Sequence, residues 1–220
     1  MTQTTVTRTT VRNLLACGAI GAPVFVIAGL IQAYTRKGFD LKVHPFSFLS
    51  LGDLGWIQIT TFVLTGLMFI AGAVGMRRVL RTGPGRTAGP ILYAGVGVGQ
   101  IMGGVFLADP AYGFGPGAPP GQPEVLSWHS QLHGLAFAVG MLSLVAALAV
   151  FTWRYASLGQ RGWAIYTAVS GLLFLALAGT GFAVGDFRIM TLGIVVGWAW
   201  LSALPLHLIS EDTNQWGAGR

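Results

Sequence analysis

Long apolar stretches, separated by short polar connections, dominate the chain. Each stretch has about the 20 residues that a helix needs to cross the hydrocarbon core of a bilayer. The pattern predicts six transmembrane helices, at residues 11–34, 54–76, 90–108, 129–153, 163–184 and 189–208. Because these spans leave few residues for anything else, we predict one transmembrane domain, 1–220, that folds as an all-α six-helix bundle.

Composition supports this fold class. Hydrophobic residues make up 53% of the chain and charged residues only 9%, which is typical of an integral membrane protein rather than a soluble domain. The net charge of +6 could indicate a nucleic-acid partner. However, the basic residues are spread over short connections between the helices, as topology signals are. We therefore expect membrane lipids and no nucleic acid as partners, and the sequence identifies no protein partner.

The basic residues also predict an orientation. If the N-terminus is cytoplasmic, nine of the thirteen Lys and Arg residues lie on the inner side. The remaining four lie on the outer side: Arg36, Lys37, Lys42 and Arg188. Since basic residues concentrate on the cytoplasmic side of membranes, we predict cytoplasmic termini and a multi-pass protein of the plasma (inner) membrane.

Two outer segments and one helix have unusual compositions. Residues 39–52 are too apolar for a solvated loop and too short to span, so we expect them to lie in the membrane interface. Residues 109–128 contain five prolines and no Lys or Arg, which favours turns; this segment is either a cover over a pocket or a simple connector. The third helix contains several glycines, which predict close packing against its neighbours.

Histidines and one acid at the predicted outer ends are the candidate chemical groups. His129 and His133 are four residues apart, so they share one face of the fourth helix. Asp109 falls at the predicted C-terminus of the third helix, where the helix dipole disfavours a carboxylate by roughly 0.3 to 1 kcal/mol. We therefore expect a nearby cation to compensate the negative charge of Asp109. Neutral imidazoles and a carboxylate are typical zinc ligands, so we predict that His129, His133 and Asp109 bind zinc or another divalent metal, with His44 as fourth ligand or next to the ligands.

Other roles for the same residues stay open. A His pair at this spacing is a weak motif on its own, and the histidines could simply hydrogen-bond the loops. Ser47 and Ser50 flank His44 in the chain, where they could serve as hydrogen-bond partners or as a nucleophile. Asp109 is a further candidate catalytic group, although Asp-Pro is also a common start of a turn.

These residues follow one another in a characteristic order. The set comprises His44-Pro45, Ser47, Leu49-Ser50-Leu51-Gly52, Gly55-Trp56, Asp109-Pro110, Trp128-His129 and His133. With this set the chain resembles the bacterial membrane family catalogued as domain of unknown function 998, most specifically in residues 44–50. Members typically carry a Tyr-Asp-Pro-like run before that stretch, where this chain has Phe39-Asp40-Leu41. The resemblance implies a six-helix bundle and no particular activity.

Two functions fit these observations. The first is a metal-dependent hydrolase, whose metal-activated water attacks a lipid or other amphiphile from the outer leaflet. The second is a non-catalytic membrane module that binds a lipid or a partner protein, its polar cluster pinning the loops together. A transporter is less well supported, because charged residues near the membrane midplane are missing. Haem would require His44 and His133 as axial ligands.

The topology can be tested with single cysteines at Ser127 and Thr82, in a chain whose Cys17 is replaced. Because position 127 is expected outside and position 82 inside, a membrane-impermeant maleimide added to intact cells should label only Ser127→Cys. Labelling of Thr82→Cys from outside would invert the orientation.

Overall fold

The computed structural model describes the backbone of residues 2–217 and the side chains of residues 8–211. Six helices are present, α1 Thr2–Thr35, α2 Gly55–Val79, α3 Ala88–Val105, α4 Trp128–Ser157, α5 Arg161–Val184 and α6 Phe187–Gly217. A short 3₁₀ helix, Phe46–Ser50, precedes α2. All six helices are long and apolar enough to cross a membrane, so the prediction of an all-α six-helix membrane bundle is confirmed.

The helices form a closed ring in chain order. Each helix packs against its neighbours in sequence, and α6 packs back against α1. Short connections favour this arrangement, because they hold consecutive antiparallel helices side by side. An even number of spans also places both ends of the chain on the same side, which we call the termini end; the opposite side is the lid end.

Glycines bring the helix backbones of α2, α3 and α4 into direct contact. A methyl group on Gly99 of α3 would lie 2.7 Å from the Cα atom of Gly140 on α4. One on Gly97 would lie 2.6 Å from the carbonyl oxygen of Gly66 on α2. Lipid tails are as apolar as the helix surfaces, so close backbone packing of this kind is a main source of helix association in membranes.

Aromatic side chains fill the ring toward the termini end. Tyr93, Phe151, Tyr155 and Trp200 are fully buried there. The Tyr93 hydroxyl lies 2.7 Å from the carbonyl oxygen of Leu201 and 3.1 Å from that of Gly18. It therefore links α3 to both α6 and α1, and its single proton is shared between the two acceptors.

Residues 106–127, which we call the lid, fold over the other end of the ring. Ala111 and Phe114 of the lid are buried against Phe48 and Leu51, beside the 3₁₀ helix. This small apolar cluster holds the lid down on the bundle. The lid is thus packed onto the bundle at this cluster and does not extend freely into solvent.

Helix α3 is shorter than the sequence pattern predicts. It ends at Val105, because Phe106 adopts an extended backbone with φ −101° and ψ 111°. Asp109 therefore lies in the lid and not at a helix C-terminus, which changes its electrostatic setting. Conversely, α1, α4 and α6 extend beyond the predicted spans, since a hydropathy pattern marks only the apolar part of a helix.

The glycine contacts predict a specific stability loss. Gly99→Val should cost about 1 to 3 kcal/mol, because the added side chain meets the α4 backbone and forces the helices apart. The measurement is the thermal unfolding temperature in detergent. Gly134→Val is the matched control, since a methyl group at Gly134 would meet nothing within 4 Å; equal unfolding temperatures for the two variants would contradict the packing.

Candidate functional site

Asp109 joins the two ends of the lid. Its carboxylate accepts hydrogen bonds from the backbone N–H of Ser127, at 2.7 Å, and from the Ser127 hydroxyl, at 2.6 Å. Ser127 is the N-cap of α4 and its hydroxyl oxygen accepts from the backbone N–H of Ser130. Asp109 is therefore at a helix N-terminus, where a negative charge is favourable. The expected placement at the C-terminus of α3, with its need for a compensating cation, was wrong because α3 ends early.

His44 is a second fastening of the lid. Its side chain is 4% exposed, and its Nδ1 atom accepts a hydrogen bond from the backbone N–H of Asp40 at 2.9 Å. The proton is then on Nε2, which donates to the carbonyl oxygen of Tyr112 in the lid at 3.1 Å. Three aromatic rings surround the imidazole: Phe39, Phe48 and Phe114. Both nitrogens are engaged, so His44 has no lone pair free for a metal in this arrangement.

The two histidines of α4 have different surroundings. His133 donates from Nδ1 to the carbonyl oxygen of Phe106 at 2.8 Å, directly after the end of α3. In the neutral ring this leaves a lone pair on Nε2. His129, one turn away, is exposed and packs beside the rings of Trp128 and Phe106.

The predicted metal ligands do not form a cluster in this structure. Within residues 8–211, no three His, Cys, Asp or Glu side chains are placed so that they could hold a metal ion. Instead, Asp109, His44 and His133 each bind a different part of the lid or its flanks. Zinc binding at His129, His133, Asp109 and His44 stays a prediction, and it would require these side chains to move together.

Ser47 and Ser50 lie close to the lid but lack a base. Ser50 is buried and its hydroxyl has no hydrogen-bond partner among the described residues. Ser47 is half-buried and lines a cavity. Neither hydroxyl is hydrogen-bonded to a described histidine or carboxylate, which an activated serine nucleophile requires.

A cavity of about 90 Å³ lies inside the ring toward the lid end, where Pro45, Phe46 and Ser47 line it. Residues of α1, α2, α3, α4, α6 and the 3₁₀ segment line it, and most of them are apolar. Since one water needs roughly 15 Å³ of such space, the cavity has room for roughly six water-sized groups. Four lining side chains carry polar atoms, Ser47, Gln100, His133 and Trp198.

Two of these polar groups have no partner in the protein. Gln100 is 6% exposed and its side-chain amide makes no hydrogen bond to any described residue. Trp198 is 3% exposed, and its Nε1–H likewise has no acceptor within the described part of the chain. An unpaired buried donor or acceptor costs about 1 to 3 kcal/mol. The Gln100 amide therefore marks the cavity as a place where a bound molecule gains a hydrogen bond, whereas the Trp198 Nε1 atom is itself sealed from the cavity space.

The cavity carries no formal charge of its own. No Lys, Arg, Asp or Glu is among its lining residues. A charged ligand group would be poorly solvated there, because an isolated ion in a low-dielectric interior needs an opposite charge. The lining suits an uncharged polar group attached to an apolar body.

Sequence reasoning missed Arg36 and Trp198. The Arg36 guanidinium donates to the carbonyl oxygens of Leu49 and Leu51 and lies 5.3 Å from the ring centre of Phe114. It thus holds the 3₁₀ segment and the lid together; burial lowers its pKa, although nearby Asp53 raises it. Arg36 is one of the few basic residues on the predicted outer side, and this unusual position could have identified it from the sequence. For Trp198 the sequence contains no such signal, because a tryptophan in an apolar helix looks the same whether it lines a cavity or packs in the core.

Elemental analysis of the purified protein in detergent tests the metal prediction. If the histidines bind zinc, the wild-type chain grown with ample metal should contain about one zinc per protein, and the His129→Ala, His133→Ala double variant should contain none. Equal metal content in the two proteins would contradict the site.

A comparison with protein-family models finds one match that spans most of the ring. The model described as "Protein of unknown function (DUF998)" matches residues 19–207, from the middle of α1 into the second half of α6. Searches of curated proteins and of solved structures found no match to the chain. The matched region includes the lid, the cavity and all the candidate residues above. The chain belongs to the DUF998 family of proteins of unknown function.

Proposed function

We propose that this protein is a non-catalytic membrane module that binds a membrane amphiphile in the cavity toward the lid end. The observation that carries the proposal is the Gln100 amide, which lines a mostly apolar cavity and makes no hydrogen bond to a described residue. An amphiphile satisfies both requirements, since its polar end supplies hydrogen bonds and its chain replaces apolar surface contacts.

Hydrogen bonding gives the site its selectivity. Gln100 offers both a donor and an acceptor, and the Ser47 hydroxyl on the same cavity wall can also donate and accept. A hydroxyl group can donate and accept at once, so it can pair with several of these groups. A plain hydrocarbon would leave them unpaired, and its affinity would be lower by the cost of those unmade bonds.

The lid supports binding rather than catalysis. His44 and Asp109, the groups that a hydrolase would use, are engaged in fastening the lid through Tyr112 and Ser127. The basic-residue distribution supports a plasma-membrane location with the lid facing outward, so that the ligand would come from the outer leaflet. The alternative function, a metal-dependent hydrolase, is supported by residue types alone. The zinc measurement distinguishes it from this proposal, because only the hydrolase requires a bound metal.

Gln100→Leu tests the proposed site. The probe is hexadecan-1-ol carrying a diazirine at carbon 2, incorporated with the protein into phosphatidylcholine nanodiscs. Light should crosslink it saturably to cavity residues, and unlabelled hexadecan-1-ol should compete. Because the variant lacks the amide, about tenfold more competitor should be needed, corresponding to roughly 1.4 kcal/mol.

Two controls make this measurement specific. Gln131→Leu removes an exposed glutamine whose side chain bonds the carbonyl of Leu126 outside the cavity, and it should leave competition unchanged. Hexadecane, which lacks the hydroxyl, should compete no better with the wild-type chain than with Gln100→Leu. Unsaturable labelling of the cavity, or equal competition by the alcohol in wild type and Gln100→Leu, would refute the proposal.

A further inference from the structure

A groove on the outside of the ring leads to the cavity. It runs between α4 and α5 on the membrane-facing surface, has a volume of about 280 Å³ and is lined only by apolar residues and Gly179. Phe137 and Met141 of α4 line both this groove and the cavity. These two side chains therefore form the partition between the interior of the ring and the membrane.

The groove continues toward the termini end. A second hollow of about 470 Å³, also between α4 and α5, shares Val145 and Leu175 with the first. It extends along α4 to Trp153 and beyond. The distance along the helix from Phe137 to Trp153 is about 24 Å, which exceeds half of the 30 Å hydrocarbon thickness of a bilayer. The groove is long enough for a full-length lipid chain.

Helix α5 is the most exposed helix on the outside of the ring. Only 22% of its most apolar window is buried, the lowest fraction among the six spans. Opposite Phe137, α5 presents Ala178 and Gly179, and a methyl group on Gly179 would meet nothing within 4 Å. The space above Gly179 is open for an apolar chain.

We infer that the ligand is a single-chain amphiphile with an uncharged head, and that it enters from the membrane between α4 and α5. Its head occupies the cavity, and its chain passes Phe137 and Met141 into the groove. This inference rests on the proposed binding function, to which it adds the ligand class, the route and the bound orientation.

The two compartments match the two parts of such a molecule. The unpartnered Gln100 amide lines the cavity, which has room for only a small head. The groove is much larger and mostly apolar, and its two hydroxyl groups, of Thr152 and Thr167, are already hydrogen-bonded within the protein. Phe137 and Met141 are the two residues common to both linings, so the compartments adjoin at one place, which fits one chain rather than two.

The route selects an uncharged head. A head that enters sideways must cross the apolar partition and then rest in a cavity without formal charge. A hydroxyl group costs a few kcal/mol to transfer into such surroundings before its hydrogen bonds form, whereas an ion costs far more. At the lid end the cavity is bounded by Pro45, Phe46 and Ser47, in a segment that itself packs against the lid.

Filling the groove tests the inference. Gly179→Phe places a ring in the groove, because a Cβ atom at Gly179 meets nothing within 4 Å. In the nanodisc competition assay, hexadecan-1-ol should bind at least tenfold more weakly to this variant than to the wild-type chain. Butan-1-ol, whose short chain stays within the cavity, should compete equally with both proteins. Gly134→Phe is the matched control, since that position is also open but lines neither compartment.

Three outcomes separate this inference from the proposed function. If Gln100→Leu weakens binding of both alcohols but Gly179→Phe weakens neither, the cavity binds amphiphiles, and the inference that their chain lies in the groove is wrong. If Gln100→Leu has no effect on either alcohol, the proposed function itself fails. If hexadecyl phosphate competes as well as hexadecan-1-ol, the inference that the site selects an uncharged head is wrong.

Hexadecan-1-ol with a diazirine at its terminal carbon maps the orientation. It should crosslink to residues of α5 that line the groove, in competition with unlabelled alcohol. Crosslinks to the lid instead would reverse the bound orientation and overturn the inference.

Discussion

A polar group inside a membrane protein has to find a hydrogen-bond partner, because the surrounding hydrocarbon offers none. At the lid end this constraint is met by side chains that bind backbone groups of the loops: His44 binds Tyr112, His133 binds Phe106 and Asp109 binds Ser127. Loop backbone at the end of a helix bundle is thereby satisfied without a regular element. The same constraint makes the unpartnered amide of Gln100 unusual, and it supports the proposal that a ligand supplies the missing partner.

The cavity exists because the two ends of the ring are packed differently. Toward the termini end, large aromatic side chains such as Phe151 and Trp200 fill the interior completely. Nearer the lid, Gly99 and Gly140 bring α3 and α4 together by backbone contact. Glycines close the seam between two helices but supply no side chains to fill the ring, so an interior space is left toward the lid end.

Much of the fold could be predicted from residue patterns. The six spans follow from hydropathy, since the bilayer imposes the length of every apolar helix. The family resemblance, carried by residues such as His44 and Asp109, was confirmed over residues 19–207. The end of α3 was misplaced by three residues, because Leu107 and Ala108 are apolar although they are not helical. That small error reversed the electrostatic argument for Asp109.

Sequence alone determined that the chain is a six-helix membrane protein and which polar residues lie near one end of the bundle, because hydropathy and helix length are local properties. Only the tertiary structure decided what those residues touch. Whether an imidazole meets a carbonyl oxygen, a carboxylate or a cavity depends on how loops distant in sequence fold over the ring. His44 reaches Tyr112 across 68 positions of the chain, and Gln100 and Trp198 come to line one cavity because α3 and α6 face the same interior.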